Sequence, residues 1–193
     1  MSSPFTSHCG VARPFYGLLA PPVVDQVNNY LSAMSKRISV VFVCMGNICR
    51  SPLAHAVFSQ NVHRHGLSDL IYTDSAGTHA YHTGNRPDIR SIKVATYKGY
   101  DLSALRAKKI NQSMLLDAHH VLVMDQQNLS DLKLAFGGQD NKIELFLNYH
   151  PERVGEDVPD PYYQDQHAFE HVLELVENAA LGLLHHLRNL YRL

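Results

Sequence analysis

The chain has 193 residues, 45% of them hydrophobic, and a formal net charge of −1 at pH 7 with its histidines neutral. That is enough apolar material for one good core in a single domain, and the balanced charge excludes a global field that would draw nucleic acid or an anionic membrane. No apolar run approaches the ~20 residues of a spanning helix, and three cysteines (Cys9, Cys44 and Cys49) cannot build a disulfide framework, which favours a reducing, cytoplasmic setting.

Residues 1–36 differ in texture from the rest and read as an N-terminal extension, with 37–193 as the one domain. Met1 to Pro22 shows neither helical nor strand period. It lacks the basic start, apolar stretch and cleavage site of a secretory signal, because Arg13 and Pro14 interrupt Val11 to Leu19. Val23 to Ala33 suits a short helix. Two readings stay open here, a translation start at Met34 or a genuine disordered tail. Mass spectrometry of the native N-terminus separates them.

From Ile38 the chain alternates strand and helix. Ile38 to Val43 is an apolar strand. Leu53 to His65 carries Leu53, Ala56, Val57 and Gln60 at helical spacing, with Gly66 placed to cap it. Leu70 to Thr73 reads as a short strand followed by a turn at Ser75-Ala76-Gly77. Pro87 to Lys98 reads as a helix ended by Gly99, and Val121 to Met124 as a strand. Leu129 to Phe136 is a helix stopped by Gly137-Gly138, and Ile143 to Leu147 a fourth strand. Residues 165–192 carry Phe169, Val172, Leu173, Val176, Ala180, Leu183, Leu184 and Leu187 on one face of a long amphipathic helix. The pattern predicts an α/β fold: a doubly wound, four-stranded parallel sheet with helices on both faces and its site at the strands' carboxyl ends.

The chemistry concentrates in Val43-Cys44-Met45-Gly46-Asn47-Ile48-Cys49-Arg50-Ser51-Pro52. An apolar strand runs into a short loop that starts with a thiol, ends with a guanidinium and opens a helix. Five residues between Cys44 and Arg50 let the loop curl, so that successive backbone N–H groups of Met45 to Arg50 face one tetrahedral oxyanion. Arg50 closes the ring with a planar fork suited to two phosphate oxygens. Pro52 suits a first helical turn, whose positive end favours both bound phosphate and a Cys44 thiolate. Gly46 and Asn47 suit the turn, Asn47 in a left-handed position.

Cys44 to Pro52 resembles the signature loop of the low-molecular-weight protein tyrosine phosphatases. The match continues through Asp74-Ser75-Ala76-Gly77-Thr78 and Met124-Asp125-Gln126-Gln127-Asn128-Leu129, and ends with Asp160-Pro161-Tyr162-Tyr163, which resembles that family's general-acid motif. The likeness spans about residues 37 to 190. It implies a cysteine-dependent, metal-independent phosphatase with no cofactor, acting on a phosphotyrosine protein substrate (a tyrosine kinase among the possible ones). Cys44 is then the nucleophile that forms a phosphocysteine, Arg50 the phosphate clamp, and Asp160 the general acid and then base. The alternative for Asp160 is a plain turn residue, since Asp-Pro is a common loop dipeptide.

The resemblance also implies that Ser51 donates its hydroxyl to the Cys44 thiolate, a role compatible with capping the helix. In the family a histidine within a His-x-Ala-Arg stretch supports the loop asparagine. The aligned segment here is Leu105-Arg106-Ala107-Lys108, so that support is missing. Cys49 reads either as a resolving thiol for Cys44 or as a small buried side chain. Ile48, Tyr81, Tyr162 and Tyr163 resemble the walls of a slot for a phenyl phosphate. Phosphoarginine-specific members tend to carry threonine where Ile48 stands, so phosphotyrosine is favoured. Thirteen histidines invite a metal site, but the adjacent pairs His119-His120 and His185-His186 face different ways and no His-Glu-x-x-His spacing occurs. An arsenate reductase would need further cysteines after Cys49, and a pure binding module would need neither nucleophile nor acid. The expected assembly is a monomer or a weak homodimer, with Tyr162 and Tyr163 as the self-association surface.

Overall fold

The structure, a computed structural model, describes residues 37–137 and 140–193. The N-terminal extension, its helix over 23–33 and the Gly138 stop lie outside the described residues. Four strands form one parallel sheet: β1 (Ile38–Cys44), β2 (Ile71–Gly77), β3 (His120–Val123) and β4 (Ile143–Leu145), in the order β2-β1-β3-β4. The helices between and after them are α1 (Arg50–Arg64), α2 (Ile89–Tyr97), α3 (Gln112–Asp117), α4 (Gln126–Phe136) and α5 (Gln166–Tyr191). The chain winds from β1 outward to β2, then returns to the other side of β1 for β3 and β4. The loop leaving β1 therefore opens at the point where strand order reverses, the usual ligand crevice of such sheets.

β1 is a run of β-branched and aromatic residues because it is covered on both faces. Val40 and Phe42 join the core beneath α1, α2 and α5, where the Phe42 ring meets Phe58 and Phe146 edge-on at centroid distances of 5.6 and 5.0 Å. Val41 and Val43 point the other way, into a smaller core with Leu115 of α3 and Leu132 of α4. Period-two alternation along one strand thus divides the apolar residues between two layers. α5 buries Phe169, Val172, Val176, Ala180, Leu183 and Leu187 in the larger core, and Asp165 caps its start by accepting from the Ala168 N–H. Gly182 lets this helix approach the Tyr149 carbonyl so closely that a Cβ would collide with it.

Most element ends shift by one to three residues, and three features differ more from the sequence expectation. Ser75-Ala76-Gly77 is not a turn but the end of β2, in register with Phe42, Val43 and Cys44 of β1. Gly77 earns its place by proximity: a Cβ there would lie 2.6 Å from the Met45 carbonyl oxygen. The fourth strand stops at Leu145 and Phe146–Tyr149 coils into a 3-10 turn, which rotates Phe146 into the larger core while Leu145 serves the smaller one. α3 carries no periodic signal, since Leu115 is its one fully buried residue and its start rests on Asn111 accepting from the Met114 N–H. No helix among the described residues is long and apolar enough to cross a membrane.

Candidate active site

β1 delivers Cys44 to the carboxyl edge of the sheet, and α1 begins six residues later at Arg50. Between them the Cys44, Met45 and Ile48 carbonyls are tied outward, accepting from the N–H groups of Thr78, His79 and Asp88 at 2.8, 3.0 and 2.8 Å. Peptide planes held that way turn their N–H groups toward the cavity. Asn47 adopts the left-handed conformation, φ 55°, and its N–H donates to the Cys44 Sγ at 3.3 Å.

Arg50 is only 3% exposed and serves two carboxylates. Its Nη1 donates to Asp125 Oδ2 (2.5 Å) and to the Val158 carbonyl (3.1 Å), and its Nη2 donates to Asp160 Oδ2 (2.8 Å). Asp125 is itself fixed as the cap of α4, accepting from the Asn128 N–H at 2.7 Å. Burial acts against the guanidinium charge, but the Cys44 thiolate, Asp160 and Asp125 outweigh it and hold Arg50 protonated above its ordinary range. The Asp160 loop is anchored by the Val158 N–H donating to the Met124 carbonyl at the end of β3, 2.7 Å. Asp160 Oδ1 accepts from the Tyr162 N–H at 3.1 Å.

Cys44, Met45, Gly46, Ile48, Cys49, Arg50, Tyr81, Asp160, Tyr162 and Tyr163 line one cavity together with His82. The aromatic walls are braced from outside. Tyr81 stacks on His79 at 5.0 Å, Tyr163 meets Tyr162 edge-on at 4.9 Å, and Arg90 lies over the Tyr162 and Phe169 rings. Arg90 also donates to both oxygens of Asp88 and to the Gln164 carbonyl, so it joins the start of α2 to the segment after Asp160. Cys49 reaches the same cavity, but burial, with Asp88, Cys44 and Asp160 adding to it, pushes its thiol up to about 12.

Asn47 and Ser51 are not lining residues: both lie buried behind Cys44. The Ser51 Oγ is 3.0 Å from the Cys44 Sγ. The Asn47 Nδ2 donates to Ser51 Oγ (2.9 Å) and Ser75 Oγ (3.0 Å), while its Oδ1 accepts from the Lys108 N–H (3.0 Å). Leu105 contributes only apolar packing. A different imidazole reaches the network, His55 of α1, whose Nδ1 is 3.3 Å from Ser75 Oγ. Burial pushes His55 down to about 4; Asp74 opposes the shift and Lys108 adds to it. Lys108 is paired with Asp74 at 2.7 Å.

Asp125, His55, Ser75 and Lys108 join the site, and His82 lines it, without a local signal for these places in the sequence. Asp125 and Ser75 do lie inside the motifs named above. His55 falls one helical turn after Ser51, the i+4 spacing that puts two side chains on one face.

A family model for low molecular weight phosphotyrosine protein phosphatase matches residues 39–192. The chain is 43% identical over 149 residues to a low molecular weight protein-tyrosine-phosphatase of Streptomyces coelicolor, covering 75% of this chain and 90% of that protein. It is 41% identical over 138 residues to the low molecular weight phosphotyrosine protein phosphatase of Schizosaccharomyces pombe, covering 70% and 88%. Among solved structures, the protein tyrosine phosphatase of Entamoeba histolytica with Hepes in its active site superposes with a TM-score of 0.75 at 31% identity, covering 79% of this chain and 97% of that one.

Proposed function

The chain belongs to the low molecular weight phosphotyrosine protein phosphatase family, and we propose from that membership and from the cradle's geometry how its residues divide the work. Protein phosphotyrosine is hydrolysed in two displacements. In the first, the Cys44 thiolate attacks phosphorus in line: an S–P bond forms, the bond from phosphorus to the tyrosyl oxygen breaks, and Asp160 gives that oxygen a proton. In the second, water attacks the phosphocysteine, Asp160 takes its proton, and the S–P bond breaks to release phosphate and regenerate the thiolate.

The carrying observation is that one cavity holds Cys44, Arg50 and Asp160, with Arg50 already bonded to Asp160. A phosphate dianion seated in the loop competes for the same Arg50 N–H groups. That competition frees the Asp160 carboxyl to turn toward the leaving oxygen. The loop N–H groups and Arg50 meet the equatorial oxygens, where charge must stay stabilised through the transition state, so the chemistry requires no metal. Tyr81 and Tyr162, with buried Ile48, favour a flat phenyl group over the short stem of phosphoserine.

Residues 37–193 hold every side chain this reaction uses, which supports reading them as the catalytic domain. Free, buried Cys44 and Cys49 suit the reducing cytoplasm. Tyr163, 96% exposed, is available for weak self-association of an otherwise monomeric enzyme.

The decisive experiment compares wild type with Cys44→Ser on a phosphotyrosyl peptide and its phosphoseryl counterpart. Turnover of the phosphotyrosyl peptide alone, lost in the variant while phosphate still binds, supports the assignment. Equal turnover by wild type and variant overturns it.

A further inference from the structure

The hydrogen bonds behind the loop fix which way the Asn47 amide faces. Lys108 presents a backbone N–H, which can only donate, so the Asn47 group facing it at 3.0 Å is the carbonyl oxygen. The Asn47 NH2 therefore faces the two hydroxyls, and both hydrogens are used, one on Ser51 and one on Ser75. Each serine accepts from Asn47 and has its own O–H left to donate. The Ser51 O–H has two acceptors in reach, the Cys44 Sγ at 3.0 Å and the Ala76 carbonyl at 3.3 Å, and a thiolate at Cys44 draws it to the sulfur. Ser75, only 4% exposed, has the His55 Nδ1 at 3.3 Å, and a lone pair on that nitrogen would receive the proton. A neutral imidazole with its proton on Nε2 offers that lone pair; a protonated one cannot.

We propose that His55 is a positioning residue for the nucleophile: its Nδ1 ends the chain Cys44–Ser51–Asn47–Ser75–His55 and holds the Ser75 hydroxyl where the Asn47 amide reaches it, which keeps Ser51 aimed at the thiolate. This rests on the reading of Cys44 as nucleophile. Without a partner at residue 55, the buried Ser75 hydroxyl turns toward another group, which misaligns the oxygen that accepts from the Asn47 amide. Asn47, held in a left-handed turn of the phosphate loop, then loses half of the bonding that orients its NH2. The Ser51 hydroxyl becomes free to turn from the thiolate to the Ala76 carbonyl, which it already approaches at 3.3 Å. His55 does not line the cavity, so its effect falls on the thiolate and on rate rather than on binding.

The test uses His55→Phe, which keeps a ring in the space, and His55→Asn, whose Oδ1 takes the place of Nδ1. Two readouts are followed: kcat and KM on an aryl phosphate, and the pH midpoint of Cys44 alkylation by iodoacetate, located by peptide mass spectrometry. In His55→Phe, kcat drops by about five-fold, the loss expected for one buried hydrogen bond, with KM nearly unchanged. The alkylation midpoint moves to higher pH, and His55→Asn restores both. A His55→Phe enzyme with wild-type kcat and midpoint overturns the proposal, as does His55→Asn no better than His55→Phe. If His55→Phe does not fold, Ser75→Ala carries the test: it must show the same shift, and a wild-type midpoint overturns the proposal. Activity surviving Cys44→Ser would defeat the reaction assignment instead, a result the alkylation midpoint does not depend on.

Discussion

Acid should destabilise this protein through His55, and by an amount its surroundings set. The imidazole's ordinary value of 6.5 falls to about 4 in the folded chain, because burial disfavours the charge. Asp74 works against that shift, and Lys108, paired to Asp74 across the network, works with it. The unfolded chain therefore binds a proton at this residue between pH 6.5 and 4 while the folded chain does not. Stability contributed here is complete above pH 6.5 and is lost as pH falls toward 4. At ~1.4 kcal/mol per unit the loss totals about 3 kcal/mol, a large share of the ~5–15 kcal/mol typical of a folded domain. Urea unfolding of wild type and His55→Phe across that window measures it. The variant is less stable above pH 6.5, but its curve is flatter, and the gap between the two narrows by about 3 kcal/mol toward the acid end. Carboxylates titrating in the same range act on both proteins and cancel in the difference. Parallel pH curves would refute the idea that His55 is held neutral.

Asp160→Ala should slow aryl esters with poor leaving groups by about 100-fold or more and activated nitrophenyl esters far less; equal losses on both remove Asp160 from the acid role. Arg50→Lys keeps the charge but not the fork, leaving Asp125 and Asp160 competing for one ammonium. Both phosphate affinity and kcat should fall, the latter by about 100-fold, which steady-state kinetics with inorganic phosphate as inhibitor will show. Peroxide should convert Cys44 to a sulfenic acid that Cys49 condenses with to form a disulfide and water. Thiol treatment then restores wild-type activity but not that of Cys49→Ser, and equal recovery in both would leave Cys49 a packing residue.

Local spacing made the phosphate loop legible before any fold was known. A β-branched strand, five intervening residues and a helix start set Cys44 and Arg50 at the two ends of one short loop. Helix and strand periods likewise gave the parallel sheet, and the errors fell where tertiary pairing overrode local signals. Ser75-Ala76-Gly77 carries turn residues, yet pairing with β1 extends it, and Gly77 is there for close approach rather than for chain reversal. The six-residue α3 had too few buried positions to show a period at all.

What no local pattern could supply was the identity of partners far apart in the chain. The sequence determined by itself that a thiol and a guanidinium stand at the two ends of one short strand-to-helix loop, because covalent spacing enforces it. Only the folded sheet decided that Arg50 would meet Asp125 and Asp160, at separations of 75 and 110 residues, and that Asn47 would be held by Ser75 and Lys108, at 28 and 61. It also decided that an imidazole, His55 of α1, would reach Ser75. Hydrogen bonding needs a partner within about 3 Å and indifferent to chain order, so those pairings exist only once strand order has brought the carboxyl ends of β1, β2 and β3 to a common edge.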